Sequence, residues 1–155
     1  MMEVQTRAEP SDLNSMICFA AYRLRQVCNQ RLAEYGLTYA QARILNHLHT
    51  AQDNTVVNQH HLVCSLGVKA SSISTVLHNM ENKGLIKKVR MQCDNRNKEI
   101  QLTPFGDSLH AAFYTVLSEV EREITANMTP TQKNTMCQCM QTICNNLQTI
   151  KPEIS

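Results

Sequence analysis

Tryptophan is absent from this chain, and aromatic residues make up only 5% of its 155 residues. Glycine and proline are also scarce, with four residues of each. So few turn formers argue against a loop-rich fold, and the low aromatic content argues against a β-sandwich. The composition favours a helical protein whose core is packed with leucine, isoleucine, valine and methionine. A chain of this length can form one domain with a substantial core.

Long hydrophobic runs are missing too. No stretch of about 18 apolar residues occurs, so a transmembrane helix and membrane contact are not expected. The first ten residues, MMEVQTRAEP, are polar and contain no apolar core of a signal peptide. We therefore predict a flexible N-terminal arm at 1–10 and a cytoplasmic chain. The net charge of +2 by itself indicates little about partners.

Seven cysteines are many for a cytoplasmic chain of this size. Their number is odd, no C-x-x-C occurs, and the six histidines do not complete a zinc-finger spacing. We therefore predict that most of these thiols are small buried hydrophobic groups in a reducing compartment. Chance Cys–His pairs without a glycine-rich turn or an oxyanion-stabilising device do not indicate an enzyme. We expect no enzymatic activity and no cofactor.

Helical periodicity predicts long amphipathic helices at both ends of the chain. Apolar residues recur at the helical period over 11–35, over 104–127 and again over 130–150. A compact winged-helix domain does not need these three helices. We therefore predict that 11–35 and 104–151 form a dimerisation region. The alternative is that these helices pack only within one chain.

The residue pattern in the middle of the chain predicts a winged helix-turn-helix DNA-binding domain at 36–103. A short helix at about 58–65, a glycine-containing turn and a second helix at about 70–83 have the outline of a helix-turn-helix. After Gly84 the period changes from 3.6 to 2, and LIKKVRMQ and KEIQLT predict two strands around a polar tip at 92–98. The predicted fold class is mainly α with a small β-hairpin wing, flanked by long N- and C-terminal helices.

The order of these segments resembles the multiple-antibiotic-resistance regulator (MarR) family of bacterial and archaeal repressors. The resemblance lies in LTYAQARILNHL, LVCSLGVKASSISTVLHNMENKGLIKKV and DNRNKEIQLTPFGDSL. Its most specific pieces are the Asp94-x-Arg96 pair in the predicted wing, followed by Leu102, Thr103 and Gly106. A helix-turn-helix joined to this hairpin and to long flanking helices is typical of that family.

The resemblance implies a homodimer that represses transcription from a pseudo-palindromic operator in double-stranded DNA. The helix at 70–83 would enter the major groove, and the wing at 85–103 would lie beside it in the minor groove. Arg96 suits the negative potential of a narrow minor groove, and Asp94 can hold that guanidinium in an inserting pose. Such a regulator would act in the cytoplasm at the bacterial or archaeal nucleoid.

A basic stripe agrees with DNA binding. Six Lys and Arg lie within 83–98, against one acid, Asp94, as expected for a surface that contacts phosphates. The predicted DNA-binding residues are Gln59, Lys69, Ser71, Ser72, Ser74, Thr75, Asn79, Lys88, Arg90, Asp94, Arg96 and Lys98. The family often carries Arg or Lys where this helix has Thr75, His78 and Asn79, so we expect modest sequence discrimination. The alternative is a winged-helix protein-interaction module without strong DNA binding.

Two mechanisms that would release the regulator from DNA are compatible with the sequence. ICFAAY places Cys18 and Tyr22 one helical turn apart, which resembles the organic-hydroperoxide-sensing branch of the family, where a thiol is oxidised beside tyrosine hydroxyls. That branch's second tyrosine corresponds to Leu32 here. Cys93, in the wing, is a further candidate thiol whose modification would disturb DNA contact. The other route is a small phenolic or aromatic ligand that spreads the DNA-binding lobes. Its candidate wall residues are Tyr22, Arg25, His47, His110 and Phe113.

A metal-sensing regulator would need several His, Cys or Glu side chains that converge on one point. Only His110 lies on the helix concerned, and His49 is expected to be solvated at the end of its own helix. The sequence therefore predicts no metal site.

Overall fold

The structure is a computed structural model that describes residues 12–51, 55–91 and 94–150, with the side chains of 91 and 94–97 outside the description. Its elements are α1 (Leu13–Leu32), a 3-10 turn (Ala33–Tyr35), α2 (Tyr39–Thr50), α3 (Gln59–Leu66), α4 (Ala70–Asn82), β1 (Ile86–Met91), β2 (Asp94–Leu102), α5 (Pro104–Ile124) and α6 (Pro130–Thr149). The predicted fold class is confirmed. Among the helices so described, none has the length and hydropathy needed to cross a lipid bilayer.

Local hydrogen bonds fix where the helices begin. Thr38 and Thr129 each form a capping box with the glutamine three residues later, which satisfies backbone N–H groups that have no helical partner. Asp12 caps α1 by accepting a hydrogen bond from the Ser15 backbone N–H. Hydrogen bonding by the Ser15 side chain, and secondarily by this N–H, lowers the pKa of the Asp12 carboxyl. The Asp12 cap therefore stabilises α1 near neutral pH and is lost as the pH falls through the lowered pKa.

The structure divides the chain into two units, Met1–Ser118 and Glu119–Ser155. The core of the first unit is formed by leucines, isoleucines and a methionine on the C-terminal end of α1, on α2 to α4 and on the hairpin. Its most completely buried side chains are Leu32, Ile44, Leu45, Leu62, Leu77, Met80, Leu85 and Cys28. Each such leucine or isoleucine contributes about 1.5–3 kcal/mol by leaving water, which makes this cluster the main support of the helix-turn-helix.

The prediction that most cysteines are buried is wrong for the described part of the chain. Cys28 is buried and its burial raises the pKa of its thiol, whereas the thiols at positions 18, 64, 137, 139 and 144 are exposed. These five lie on the N-terminal half of α1, on the surface of α3 and on α6. Cys93 lies outside the described residues.

The predicted stripe on α1 is buried only at its C-terminal end. Leu32 is fully buried, but Leu13 and Leu24 are 62% and 40% exposed, and Phe19 is also exposed. The N-terminal half of α1 therefore presents large apolar side chains to solvent within a single chain.

The second unit contains the last turns of α5 and all of α6. None of the 20 residues of α6 is buried, although Met136, Met140 and Leu147 recur along it at helical spacing. Lys133 of α6 forms an ion pair with Glu121 of α5, and the hydrogen bond and charge of that carboxylate raise the pKa of Lys133. Within the described part of this unit, 119–150, the apolar face of α6 is therefore exposed.

The wing differs from its prediction at the tip. Antiparallel pairing runs in register from Ile86 opposite Leu102 to Arg90 opposite Lys98, and the next pair is Met91 opposite Asp94. The second strand thus begins at Asp94, and 95–97 form an irregularity with no opposing residues on β1. The prediction of a polar tip at 92–98 was wrong because it made the tip too long. Polar residues from Asp94 onward already belong to the second strand, which continues around a bulge.

Hydrogen bonds at two points anchor this hairpin to the helices. The Ile100 N–H donates to the Val57 carbonyl just before α3. At the other end, the Thr103 hydroxyl donates to the Gly84 carbonyl at 2.6 Å and accepts from the Gly106 N–H at 3.0 Å. The hydroxyl of Thr103 therefore caps α5 and holds it against the start of the wing.

Candidate nucleic-acid interface

The helix-turn-helix is built on a sharp turn between α3 and α4. Gly67 has φ +62°, a left-handed conformation that residues with a side chain rarely adopt, and its N–H donates to the Val63 carbonyl. The turn lets α4 bury Ile73, Leu77 and Met80 against the core. The opposite side of α4 is then left on the surface.

That surface carries the polar residues predicted to contact DNA. All five on α4 are exposed: Ser71, Ser72, Ser74, Thr75 and Asn79. The Thr75 hydroxyl donates to the Ser71 carbonyl at 3.3 Å, so its oxygen lone pairs remain available as acceptors. Because this helix contains no Lys or Arg, its contacts with a nucleic acid would be hydrogen bonds without full charges.

Gln59 and Lys69 lie at the N-terminal ends of the two helices. The Gln59 amide donates to the Ala70 carbonyl at 3.4 Å, which links the first residue of α3 to the first residue of α4. Lys69 is the exposed N-cap residue of α4. A phosphate could be bound here, because the lysine ammonium and the positive end of the helix dipole both attract negative charge.

A cavity of about 470 Å³ lies between α3, α4 and the wing. Its lining residues are Asn58, Gln59, His60, Val63, Ala70, Leu77, Lys88, Lys98 and Ile100. Two lysines on neighbouring strands thus face a concave surface that adjoins the exposed side of α4. Sequence reasoning missed His60 and Val63, because only the folded chain brings α3 next to the hairpin.

Two lysines of the basic stripe are engaged by other groups of the chain. The Lys88 ammonium is 3.1 Å from a carboxylate oxygen of Glu81 on α4. The Lys83 ammonium donates to the Gly36 carbonyl at 3.0 Å and to the Gln41 side chain at 3.4 Å. Lys83 therefore supports the junction of α4 with α2, and part of the charge of Lys88 is neutralised.

Arg90 and Lys98 occupy directly opposing positions on the two strands, and both are exposed. Like charges at opposing positions destabilise a hairpin, by the same few tenths of a kcal/mol to about 1 kcal/mol that opposite charges contribute. A bound polyanion would remove this repulsion. The arrangement concentrates positive charge on the wing at a cost to the free protein.

Asp94 and Arg96 lie on β2, at the end of the strand and within its irregular segment. Arg96 is the middle residue of the three that oppose nothing on β1, and such irregularities are common beside functional sites. Both side chains lie outside the description, so their predicted contact with each other and with DNA stays a prediction.

Cys18 and Tyr22 are both exposed on α1. The Tyr22 hydroxyl accepts a hydrogen bond from the Gln26 amide at 2.7 Å, and Arg23 donates to the same Gln26 side chain at 2.9 Å. The hydroxyl that we expected near the Cys18 sulfur is thus bonded to Gln26.

The predicted walls of a small-molecule site do not line the cavity described above. Tyr22 and Arg25 are exposed on α1, and His47 is half-buried on α2. Phe113 packs against Tyr39, with 6.1 Å between ring centroids. His110 lies beside His49 and Asp107, a grouping that the sequence did not reveal.

The sequence is similar to those of known transcriptional regulators. The family model "Transcriptional regulator SarA/Rot" matches residues 26–112. The HTH-type transcriptional regulator MgrA of Staphylococcus aureus is 31% identical over 107 residues, which cover 66% of this chain and 71% of that protein.

Solved structures that share the fold include two complexes with DNA. The MepR–DNA complex of S. aureus has a TM-score of 0.81 at 22% identity, over 88% of this chain and 99% of that one. A MarR family transcriptional regulator from Listeria monocytogenes in complex with a 26mer DNA has a TM-score of 0.76 at 20% identity, over 94% and 100% of the two chains.

Proposed function

The chain belongs to the SarA/Rot family of transcriptional regulators, and from this premise we propose that it represses transcription as a homodimer bound to double-stranded DNA. The MarR-type winged-helix fold expected from the sequence is confirmed, as is the expectation of a regulator rather than an enzyme. The operator would be pseudo-palindromic, because two copies related by a two-fold axis present the same surface to each half-site.

The observation that carries the proposal is the positive charge on the wing beside the polar side of α4. Arg90 opposes Lys98 across the hairpin, and Lys98 and Lys88 line the concave surface beside the polar side of α4. Neutralising these cations with phosphates releases counterions and supplies affinity that does not depend on sequence. The hydroxyls and Asn79 on α4 would then contact base edges in the major groove.

Arg96 completes the proposed interface from the minor groove. Its place in the middle of the unpaired segment of β2 supports insertion between the phosphate backbones. Asp94, two residues away, would hold the guanidinium and reduce the entropy lost on binding.

The exposed apolar faces of α1 and α6 support the dimer. Leu13 is 62% exposed and Leu147 is 60% exposed, and Phe19 and Met136 are exposed as well. Soluble monomers rarely expose such helical stripes, because apolar area left in water costs about 25 cal/mol per Å². In a two-fold DNA-binding protein, a second copy of the chain would cover these apolar faces.

The Arg96→Ala chain is expected to bind the DNA upstream of its own gene roughly 5- to 100-fold more weakly than the unmodified chain, because the minor-groove contact is lost. Fluorescence anisotropy at several salt concentrations measures the effect. The slope of the logarithm of the DNA-binding constant against the logarithm of the salt concentration should become smaller in magnitude by about 1.

Arg122→Ala is the matched control, since it removes the same charge from an exposed position near the end of α5. Its affinity and salt slope should stay unchanged, with light scattering used to verify its oligomeric state. Equal binding by Arg96→Ala and the unmodified chain would exclude Arg96 from the DNA interface.

The second candidate function is a protein-interaction module. Two observations favour it: α4 carries no Lys or Arg, and Glu81 pairs with Lys88. Low salt separates the two functions, because electrostatic binding to DNA is strongest there. Absence of binding to any duplex at low salt would contradict DNA binding and favour the interaction module.

For release, the exposure of Cys18 supports the thiol route. The Cys18 thiolate would attack the peroxide oxygen of an organic hydroperoxide. The O–O bond breaks, the alcohol leaves, and sulfur becomes a sulfenic acid in a two-electron oxidation. The thiol lies on the part of α1 assigned to dimerisation, so the added polar group would alter the spacing of the two DNA-binding domains.

One equivalent of cumene hydroperoxide is therefore expected to lower DNA affinity about tenfold in the unmodified chain and not in Cys18→Ser. Cys139→Ser, which removes another exposed thiol, should respond like the unmodified chain. Mass spectrometry locates the added oxygen. Release of Cys18→Ser by the oxidant would exclude Cys18, and release by salicylate alone would establish the small-ligand route.

A further inference from the structure

Three side chains that can bind metal ions converge where α2 ends and α5 begins. His49 lies in the last turn of α2, and Asp107 and His110 lie in the first two turns of α5. One ligand atom from each residue lies within 4.8 Å of those of the other two. His49 and Asp107 are 58 residues apart in the sequence, so this grouping exists only in the folded chain.

Hydrogen bonds fix which ring nitrogens are free. His49 Nδ1 is 2.7 Å from a carboxylate oxygen of Asp107, and His110 Nδ1 is 2.5 Å from the Asp107 backbone carbonyl. Both oxygens only accept hydrogen bonds, so each Nδ1 carries the proton and donates it. When such a ring is neutral, its Nε2 is unprotonated, and the lone pair of that nitrogen is the one available to bind a metal.

This is the outer-shell arrangement typical of metal-binding histidines. Such a ring usually donates its other N–H to a carboxylate or to a backbone carbonyl, which fixes its tautomer and raises its basicity. Here one histidine uses a carboxylate and the other a carbonyl, and both acceptors belong to Asp107.

The two imidazole rings are also close enough to share an ion. Their centroids are 3.4 Å apart and their planes differ by 12°. Two nitrogens on one tetrahedral zinc ion, each at about 2.0–2.1 Å, are separated by roughly 3.3 Å. Lone pairs of nearly parallel rings do not meet at one point, so the rings must tilt apart on binding. The torsion that tilts a histidine ring has a broad energy minimum, and both side chains are partly exposed.

We propose that His49 and His110 bind one divalent transition-metal ion through Nε2, with Asp107 as the orienting carboxylate. Imidazole ligands select zinc, nickel, cobalt and copper over magnesium and calcium, and water would fill the remaining coordination positions. The bound ion would link the last turn of α2 to the second turn of α5, close to the junction at which Thr103 holds α5 to the wing.

The test uses the full chain without an affinity tag, with its thiols reduced, and titrates it with Co²⁺ followed by competition with Zn²⁺. We expect one Co²⁺ per chain, with d–d absorption but no thiolate-to-metal charge-transfer band. Asp107→Asn should weaken binding about 10- to 100-fold. His49→Gln and His110→Gln should each weaken it at least as much.

His47→Gln is the matched control, because it removes a histidine from the same helix two residues away, a spacing at which side chains do not face each other. It should bind Co²⁺ like the unmodified chain. Circular dichroism without metal checks that every variant is folded. In the unmodified chain, substoichiometric Cu²⁺ should broaden the ring resonances of His49 and His110 before those of the other histidines.

Undiminished cobalt binding by folded His49→Gln and His110→Gln chains would overturn the proposal. So would saturable binding that occurs only with a thiolate charge-transfer band, since it would assign the ion to cysteines. Broadening that begins at other histidines in the unmodified chain would contradict it independently of any variant.

Discussion

A chain carrying both Leu13→Glu and Leu147→Glu is expected to be monomeric and to bind its operator at least about 100-fold more weakly than the unmodified chain. The two leucines are 62% and 60% exposed on α1 and α6, respectively. In a dimer that buries them, each new carboxylate would lose its hydration without gaining a partner. A monomer binds only one half-site, so the avidity that comes from linking two DNA-binding domains is lost.

Asn14→Glu with Asn146→Glu is the matched control for this experiment. It adds the same charges to neighbouring exposed positions of the same two helices, and should leave both the dimer and its DNA affinity unchanged. Sedimentation equilibrium gives the mass and anisotropy gives the affinity. A leucine variant that stays dimeric and binds undiminished would assign these helices to packing within one chain.

The Gly106→Ala chain is expected to lose about 3 kcal/mol of unfolding free energy. A Cβ built at this buried position would lie 2.0 Å from the Leu85 carbonyl oxygen and 2.9 Å from its carbon. Those are backbone atoms, so a side-chain rotation cannot relieve the clash. The first turn of α5 would have to move off the wing, which also strains the hydrogen bonds from Thr103 to Gly84 and Leu85.

Urea unfolding followed by circular dichroism measures this loss. Ser118→Ala, at an exposed position further along α5, should change the unfolding free energy by less than about 0.5 kcal/mol. A Gly106→Ala chain as stable as the unmodified one would show that α5 and the wing are not in such close contact.

Features set by neighbouring residues were predicted well from the sequence. The capping residues Thr38 and Thr129 act on backbone groups within one turn, so the sequence alone indicates the start of α2 and α6. The periods of α4 and of the hairpin likewise follow from which face is buried. The helix-turn-helix and its exposed serines could therefore be located before the structure was known.

Features set by distant residues were not predictable in this way. The bulge around Arg96 depends on how two strands pair, and the Lys88–Glu81 ion pair depends on how the wing packs on α4. The meeting of His49 with Asp107 depends on the path of the chain between two residues that are 58 positions apart. The burial of the cysteines was predicted wrongly because it was inferred from residue type, whereas exposure depends on which elements pack around each side chain in the folded protein.

Native mass spectrometry of the chain mixed with a short duplex from upstream of its own gene tests the central claim most directly. The account predicts one dominant complex of two chains per duplex, which dissociates as the ammonium acetate concentration is raised. A single chain per duplex, or no complex at low salt, would contradict it.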